Sequence, residues 1–299
     1  MMRELKMIFR GAEGILLRQS PPFRKLTTIG TGGPARALVV PFTPGGLKEA
    51  VQRLSRAGVP YFTFGKGSNI LVPDEGTESV AVWVAEGLTE VSFNGKGVTV
   101  EAGTTLPRAA VLAAASGLSG LEELAGIPGT VGGALVMNAG AFGREIGELV
   151  RWVELVTPEG ETVRFERGDL VFEYRRTLFP VEGIVSRVCV NLTRGDRDAI
   201  FRRMRELNRE RKQKQPWGEK TFGSVFKNPP GASAGKLLES AGLKGASVGD
   251  ACVSKKHANF IVNRGRAKTR DVVALIELMR KKVREVHGVD LEPEVRRVA

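Results

Sequence analysis

From Gly126 to Gly143 the chain runs Gly-Ile-Pro-Gly-Thr-Val-Gly-Gly-Ala-Leu-Val-Met-Asn-Ala-Gly-Ala-Phe-Gly. Glycine and small side chains dominate it, yet it carries no charge, so it is too apolar for a flexible linker. Glycine costs backbone entropy and is retained where the chain needs a positive φ or a close approach. Two readings follow. Either this is a tight loop leading into a buried helix, or its bare amides cradle an anion. A second glycine-rich loop, Phe64-Gly-Lys-Gly-Ser-Asn69, follows the apolar Val59-Pro-Tyr-Phe-Thr-Phe64 and leads into Ile70-Leu-Val72. Two such loops fit a large ligand with several phosphate and polar groups, such as a dinucleotide.

A chain of 299 residues has room for two or three domains. No apolar run approaches the roughly 20 residues that span a bilayer, and Met1 to Phe9 lacks the apolar core of a secretory signal. The two cysteines, Cys189 and Cys252, each stand beside valine and have neither metal-site nor disulfide spacing. They read as buried thiols of a reducing compartment, so the expected location is the cytoplasm. The net charge of +12 raises the question of nucleic acid. However, the densest basic run, Arg202 to Lys214, is interleaved with glutamates and reads as a solvated helix face. No nucleic-acid recognition motif accompanies it. The basic field therefore fits phosphorylated small molecules, with neither nucleic acid nor membrane as partner, and the expected state is a monomer. No His, Cys or carboxylate cluster has metal-ligand spacing.

In order, Ala35–Val40 reads as a strand and Pro44–Gly58 as a helix with Leu47, Val51 and Leu54 on one face. Val59–Phe64 then reads as a strand delivering the first glycine-rich loop, in the order of a βαβ unit. From Ser79 the pattern changes to short strands: Val80–Val84, then Val91–Phe93 and Val98–Glu101 joined through Asn94-Gly-Lys-Gly97. A helix at Leu106–Ser116, a Val150–Val156/Thr162–Glu166 hairpin and a strand at Gly183–Val190 follow. Asp196–Gln215 reads as one long helix. A helix near Ala234–Ala241, a strand at Ala258–Val262, a helix from Thr269 (as N-cap) to His287 and a strand near Leu291–Val295 complete the chain. The predicted class is α+β, with domains at 1–78, 79–195 and 196–299.

Further stretches are polar in ways a core does not require: Phe172-Glu-Tyr-Arg175, Thr221-Phe-Gly-Ser-Val-Phe-Lys-Asn-Pro229 and Leu291-Glu-Pro-Glu-Val-Arg296. With Gly65–Asn69, Ala125–Gly133, Met137–Gly140 and Lys256–Asn263 they stand in the order found in the UDP-N-acetylenolpyruvoylglucosamine reductase family, which the chain resembles from about Thr28 onward. The resemblance implies two N-terminal FAD-binding modules of the vanillyl-alcohol-oxidase type and a C-terminal substrate-binding domain covering the isoalloxazine. It also implies NADPH-dependent reduction of an enolpyruvyl ether on UDP-N-acetylglucosamine. The short Phe179–Gly183 connection is similar to the subgroup lacking a long tyrosine-bearing insertion. Lys66 and Thr177 depart slightly from the family pattern.

The resemblance assigns catalysis to Arg175, Ser224 and Glu294. A guanidinium fork matches the substrate carboxylate, and Ser224 is the implied proton donor, with Lys214 or Lys227 as a cation able to stabilise its alkoxide. Strand alternation cannot choose between Glu292 and Glu294, and the resemblance selects Glu294. Tyr174, Lys214, Asn228 and His257 fall at substrate-contacting positions. FAD falls to Gly65, Lys66, Gly67, Ser68 and Asn69, to the amides of Gly129, Thr130, Gly132 and Gly133, and to Asn138 and Gly140. No histidine or cysteine lies in those loops, so non-covalent FAD is expected. Another oxidoreductase on the same flavin fold, a hydroxyacid or alcohol oxidase, is the alternative.

Overall fold

The computed structural model describes residues 2–95 and 97–298. Lys96, within the predicted Asn94–Gly97 turn, lies outside the described residues. The chain forms two compact units. The first contains the residues up to Gln19, Arg36–Lys66 and Ser79–Arg209; the second contains Ser20–Ala35, Gly67–Glu78 and the chain from Glu210 onward. The contiguous boundaries at 78 and 195 do not have this interleaving.

Two larger sheets, of four and five strands, hold most of the strands of unit 1, beside small two-stranded pairs. The first has the order Ile15–Arg18, Ala35–Pro41, Thr77–Trp83, Tyr61–Phe64. Ile15–Arg18 is antiparallel to Ala35–Pro41, and Tyr61–Phe64 is parallel to Thr77–Trp83. Ala35–Pro41 is buried at every position but Arg36, as the apolar run from Ala37 requires. The helix Pro44–Arg56 begins where Thr43 accepts the N–H of Gly46, with Pro44 in its first turn, and Gly58 at φ +63 follows it. Leu47, Val51 and Leu54 are fully buried in one cluster with Val39, Val80 and Val82. Strand Thr77–Trp83, which the sequence pattern places in the second module, belongs to this first sheet.

The second sheet is antiparallel throughout, in the order Thr162–Glu166, Val150–Val156, Ile184–Asn191, Gly97–Glu101, Val91–Asn94. Helix Leu106–Ala115, capped by Thr105 and followed by Gly117 at φ +67, shares its apolar cluster. The Gly126–Gly143 stretch supplies the six-residue helix Val131–Val136 and one strand of the small antiparallel pair Gly140–Ala141 and Arg144–Glu145.

Unit 2 carries the antiparallel sheet Ser247–Val248, Ala251–Val253, Ile261–Asn263, with helices Ala234–Ser240 and Thr269–His287. The strand expected from Ala258 starts later, because Phe260 N–H bonds back to His257 O in a turn. Ile29 and Leu71 are buried in one cluster with Phe226, Leu238, Ile276 and Met279. That shared burial ties the two early segments to the C-terminal residues.

Thr269 is not the N-cap of the last helix; Lys268 is. The first amides are instead satisfied from far away in the chain. Asp74 accepts from the N–H groups of Thr269 at 2.8 Å and Arg270 at 3.0 Å, while Thr269 Oγ1 donates to Val72 O at 2.7 Å. The carboxylate also opposes the positive end of the helix dipole. Asp74→Ala is therefore expected to lower stability by about 1–2 kcal/mol, read as a lower urea midpoint of unit 2. An unchanged midpoint would remove Asp74 from the capping role. The expected strand Leu291–Val295 is shorter and later: Arg296–Arg297 pairs in parallel with Ile70–Leu71. The residues just before it lie along a different neighbour, described below.

Candidate functional site

In unit 1 the two glycine-rich loops meet. A Cβ at Gly65 would lie 2.3 Å from Thr130 Oγ1. Thr130 cannot withdraw easily, since the same hydroxyl accepts the Gly133 N–H at 3.3 Å and caps helix Val131–Val136. Gly65 is held from its other side: Trp83 Nε1 donates to Gly65 O at 2.9 Å. The Trp83 ring stacks on Phe64 at 5.6 Å and lies under the Arg18 guanidinium at 5.4 Å, which Glu86 binds at 2.7 Å. The sequence pattern missed Trp83; its only signal is a tryptophan ending the strand beside the loop.

Two of the expected amide donors are engaged elsewhere. Gly132 N–H donates to Ala102 O at 2.9 Å, and a Cβ there would meet Ala102 Cβ at 2.8 Å. Gly133 N–H goes to Thr130 Oγ1. The two glycines also allow close packing on Ala102 and the Thr130 cap. Asn138 likewise has its side chain engaged within the protein. It is fully buried at φ 38, and its side chain is committed: the amide donates to Glu145 Oε2 at 2.7 Å and Glu173 O at 3.0 Å, while Oδ1 accepts from Gly147 N at 3.1 Å. With these bonds it braces the chain.

What Asn138 braces is the Arg175 hairpin. Val171–Glu173 pairs with Arg176–Leu178, so Tyr174 and Arg175 form its two-residue tip, with Arg175 in the left-handed region at φ +60. The Arg175 guanidinium carbon lies 4.7 Å from the exposed Tyr174 ring, and Nη1 is 3.7 Å from Glu145 Oε1. Thr177 Oγ1 donates to Leu135 O at 2.5 Å, anchoring the hairpin to the glycine-rich stretch. Gly140 leaves room here, because a Cβ would approach Glu145 Cγ at 2.9 Å and Arg175 Nη1 at 3.4 Å.

In unit 2 the chain around Ser224 is stitched on both sides. On one, Val225 N–H donates to Asn259 O, and the Asn259 side chain bonds both Phe226 N–H and Phe226 O, at 3.0 and 2.8 Å. On the other, Glu294 N–H donates to Val225 O at 2.8 Å and Lys227 N–H to Glu292 O at 2.9 Å. Ser224 and Glu294 thus lie on adjacent extended segments. Asn69 joins them, its Nδ2 donating to Glu294 O at 3.3 Å and its carbonyl accepting from Arg296 N–H. The Gly67–Asn69 half of the first loop belongs to this group; Gly65 and Lys66 belong to unit 1. A Cβ at Gly67, whose φ is +61, would meet Leu26 O at 2.7 Å. Glu292 is exposed and pairs with Lys227 at 2.6 Å.

The remaining expected contacts have partners of their own. Lys214 is exposed and pairs along its helix with Glu210 at 2.6 Å. Asn228 Oδ1 accepts the N–H of Ala234 at 3.0 Å, at the start of helix Ala234–Ser240. His257 Nδ1 accepts from Asn259 N–H at 3.2 Å, which leaves the proton of the neutral ring on Nε2 as a donor. Burial, and then the Lys244 ammonium, hold this imidazole below the ordinary histidine range. Below about pH 6.5 the unfolded histidine takes a proton that the folded one resists, so stability falls as pH drops below that value. His257→Gln is expected to flatten the stability slope just below pH 6.5 in parallel urea titrations; an unchanged slope would contradict it.

Residues 215–298 match the family profile "UDP-N-acetylenolpyruvoylglucosamine reductase, C-terminal domain", and residues 35–166 match "FAD binding domain". A UDP-N-acetylenolpyruvoylglucosamine reductase of Caldanaerobacter subterraneus is 41% identical over 92% of this chain and 91% of its own length. One from Heliobacterium modesticaldum is 40% identical over 98% and 93%. The chain belongs to the UDP-N-acetylenolpyruvoylglucosamine reductase family. A crystal structure of the reductase from Thermus caldophilus aligns at a TM-score of 0.82 and 40% identity, covering 95% of this chain and all of that one.

This family member is an FAD-dependent oxidoreductase with an α+β fold. Its own residues fit that cofactor: the FAD-binding match covers both glycine-rich loops and Gly140. Gly65–Asn69 and Gly126–Gly143 contain no carboxylate, and they offer amides, hydroxyls and one lysine. That donor set suits an anionic pyrophosphate. Among the described residues no cluster of metal-binding side chains occurs, and no helix is long and apolar enough to cross a membrane.

Proposed function

We propose that this chain reduces the enolpyruvyl ether of UDP-N-acetylglucosamine to the lactyl ether, yielding UDP-N-acetylmuramate for peptidoglycan precursor synthesis, with NADPH as reductant. The observation that carries this reading is the backbone stitching of the Ser224 segment to the Glu294 segment, in a chain 40% identical to reductases along nearly its whole length. FAD, when bound, supplies hydride for the terminal carbon of the enol ether. Gly65, Lys66, Gly67, Ser68 and Asn69, with Gly129, Thr130 and Gly140, would hold it. The cysteines and histidines lie outside both loops, which supports a non-covalent cofactor.

The enol ether is electron-rich and accepts hydride poorly, so charge building on the substrate carboxylate must be offset. Arg175 offers a fork of N–H donors to that carboxylate. Glu294 assists when protonated or sharing a proton, because a bare carboxylate would repel the developing charge. Ser224 Oγ gives the proton to the adjacent carbon, with Lys214 or Lys227 as the cation able to steady the resulting alkoxide. His257 Nε2–H and Asn228 serve the UDP-sugar, with Tyr174 and Lys214 as further contacts. In this reading the chain works as two FAD-binding modules and a C-terminal substrate-binding domain. The net positive charge and the buried free cysteines support a cytoplasmic enzyme of phosphorylated substrates, which we take to act as a monomer. The direct test is product mass: one UDP-N-acetylmuramate per NADPH oxidised supports the reaction, and NADPH oxidation matched only by oxygen consumption supports an oxidase.

A further inference from the structure

The surroundings of Arg175 contain an acid that the reaction does not require. Glu145 places Oε1 3.7 Å from Arg175 Nη1, with the two side chains 36% and 20% exposed respectively. A surface pair at that distance is ordinarily worth little. This one is built differently. Glu145 Oε2 accepts from the Asn138 amide at 2.7 Å, and Asn138 is fully buried and held by two more hydrogen bonds. Asn138 therefore cannot turn, and it fixes the carboxylate from behind. The Glu145 backbone is fixed as well: it pairs with Gly140, and its N–H donates to Glu148 Oε1 at 2.9 Å. Arg144, the nearest competing cation in sequence, is occupied by Glu148 at 2.8 Å. One of the Asn138 bonds ends on Glu173 O, in the hairpin pair next to the Tyr174-Arg175 tip, so a single buried amide braces both the acid and the strand that presents the arginine.

We infer that Glu145 is a positioning residue for Arg175, aiming the guanidinium by holding one edge of it, with Asn138 as the fixed support behind. The chemistry favours this arrangement over a chance pair. A guanidinium presents five donors in a planar fork, so one edge can rest on Glu145 while another meets a second carboxylate. Held this way, a long side chain at an exposed hairpin tip loses less freedom on binding an anion. Gly140 keeps the space open, since any side chain there would press on both Glu145 and Arg175. The inference rests on the reading of Arg175 given under the proposed function.

The test compares flavin reduction by NADPH with flavin reoxidation by UDP-N-acetylglucosamine enolpyruvate, in anaerobic stopped flow, for Glu145→Gln, Glu145→Asp and Arg175→Ala. Glu145→Gln keeps the shape and can still accept from Asn138, but it removes the charge facing Arg175. Its reoxidation is expected to slow ten- to a hundredfold more than its reduction, the range for a reacting-site group displaced by about 1 Å. Glu145→Asp should recover part of the loss, and flavin content should stay at the parent value. If Glu145→Gln reoxidises normally while Arg175→Ala does not, the positioning role is wrong and the reading of Arg175 survives. If Arg175→Ala also reoxidises normally, that reading falls and the inference with it. Equal slowing of both half-reactions, or loss of flavin, in both Glu145 variants would assign Glu145 to structure alone.

Discussion

Ser224→Ala is expected to leave reduction of the bound flavin by NADPH within about threefold of the parent, and to slow its reoxidation by the enolpyruvyl substrate by about 10²–10⁴, the range for a lost general acid. The structure makes this a clean substitution. Val225 and Phe226 are bonded to Asn259, and Val225 O takes the Glu294 N–H, so the segment is held by groups that the Ser224 hydroxyl does not supply. Alanine therefore deletes one donor without releasing the segment. Rapid-scan absorbance after single mixing separates the half-reactions. A variant slowed equally in both, or reoxidised at the parent rate, would remove the proton from Ser224.

The second large effect is expected at Gly65. An added Cβ would stand 2.3 Å from Thr130 Oγ1 and 2.7 Å from its Cγ2. Neither side yields easily, because Thr130 caps a helix and Gly65 O is held by Trp83. Overpacking of this kind costs about 1–3 kcal/mol, which is roughly five- to 150-fold if it falls on the flavin-binding conformation. Gly65→Ala should thus purify with much less flavin and bind added FAD at least tenfold more weakly, with unit 2 unaffected. Thr130→Ala in the same chain removes both clashing atoms at the cost of about 1 kcal/mol of cap. Partial recovery of flavin in the double variant supports the steric account; full flavin retention in Gly65→Ala alone contradicts it.

Local patterns carried much of the fold. The helices at 44–56, 106–115, 197–214 and 269–287 follow from apolar spacing and from their stop signals. The antiparallel second sheet follows from short alternating runs. Alternation does not say which sheet a strand joins, which is why Thr77–Trp83 was legible as a strand and not as part of the first sheet. Nor does a glycine reveal whether it is bare for a ligand or for a neighbour: Gly132 is explained by Ala102, which lies 30 residues earlier in the chain. Asp74, Trp83, Asn259 and Glu145 were invisible for one common reason. Each acts across a long sequence separation, 195 residues for Asp74 and Thr269. Ser224, Glu294 and Arg175 are proposed for the site only through the order of seven motifs, since no single motif there prescribes a chemistry.

The most direct test of the central claim is the visible spectrum of the holoenzyme, taken anaerobically with NADPH and then with UDP-N-acetylglucosamine enolpyruvate. Flavin bands that bleach with NADPH and return on adding the enolpyruvate, with no oxygen present, are the predicted result. Bands that bleach but return only when oxygen is admitted would contradict a reductase and point to an oxidase on the same fold.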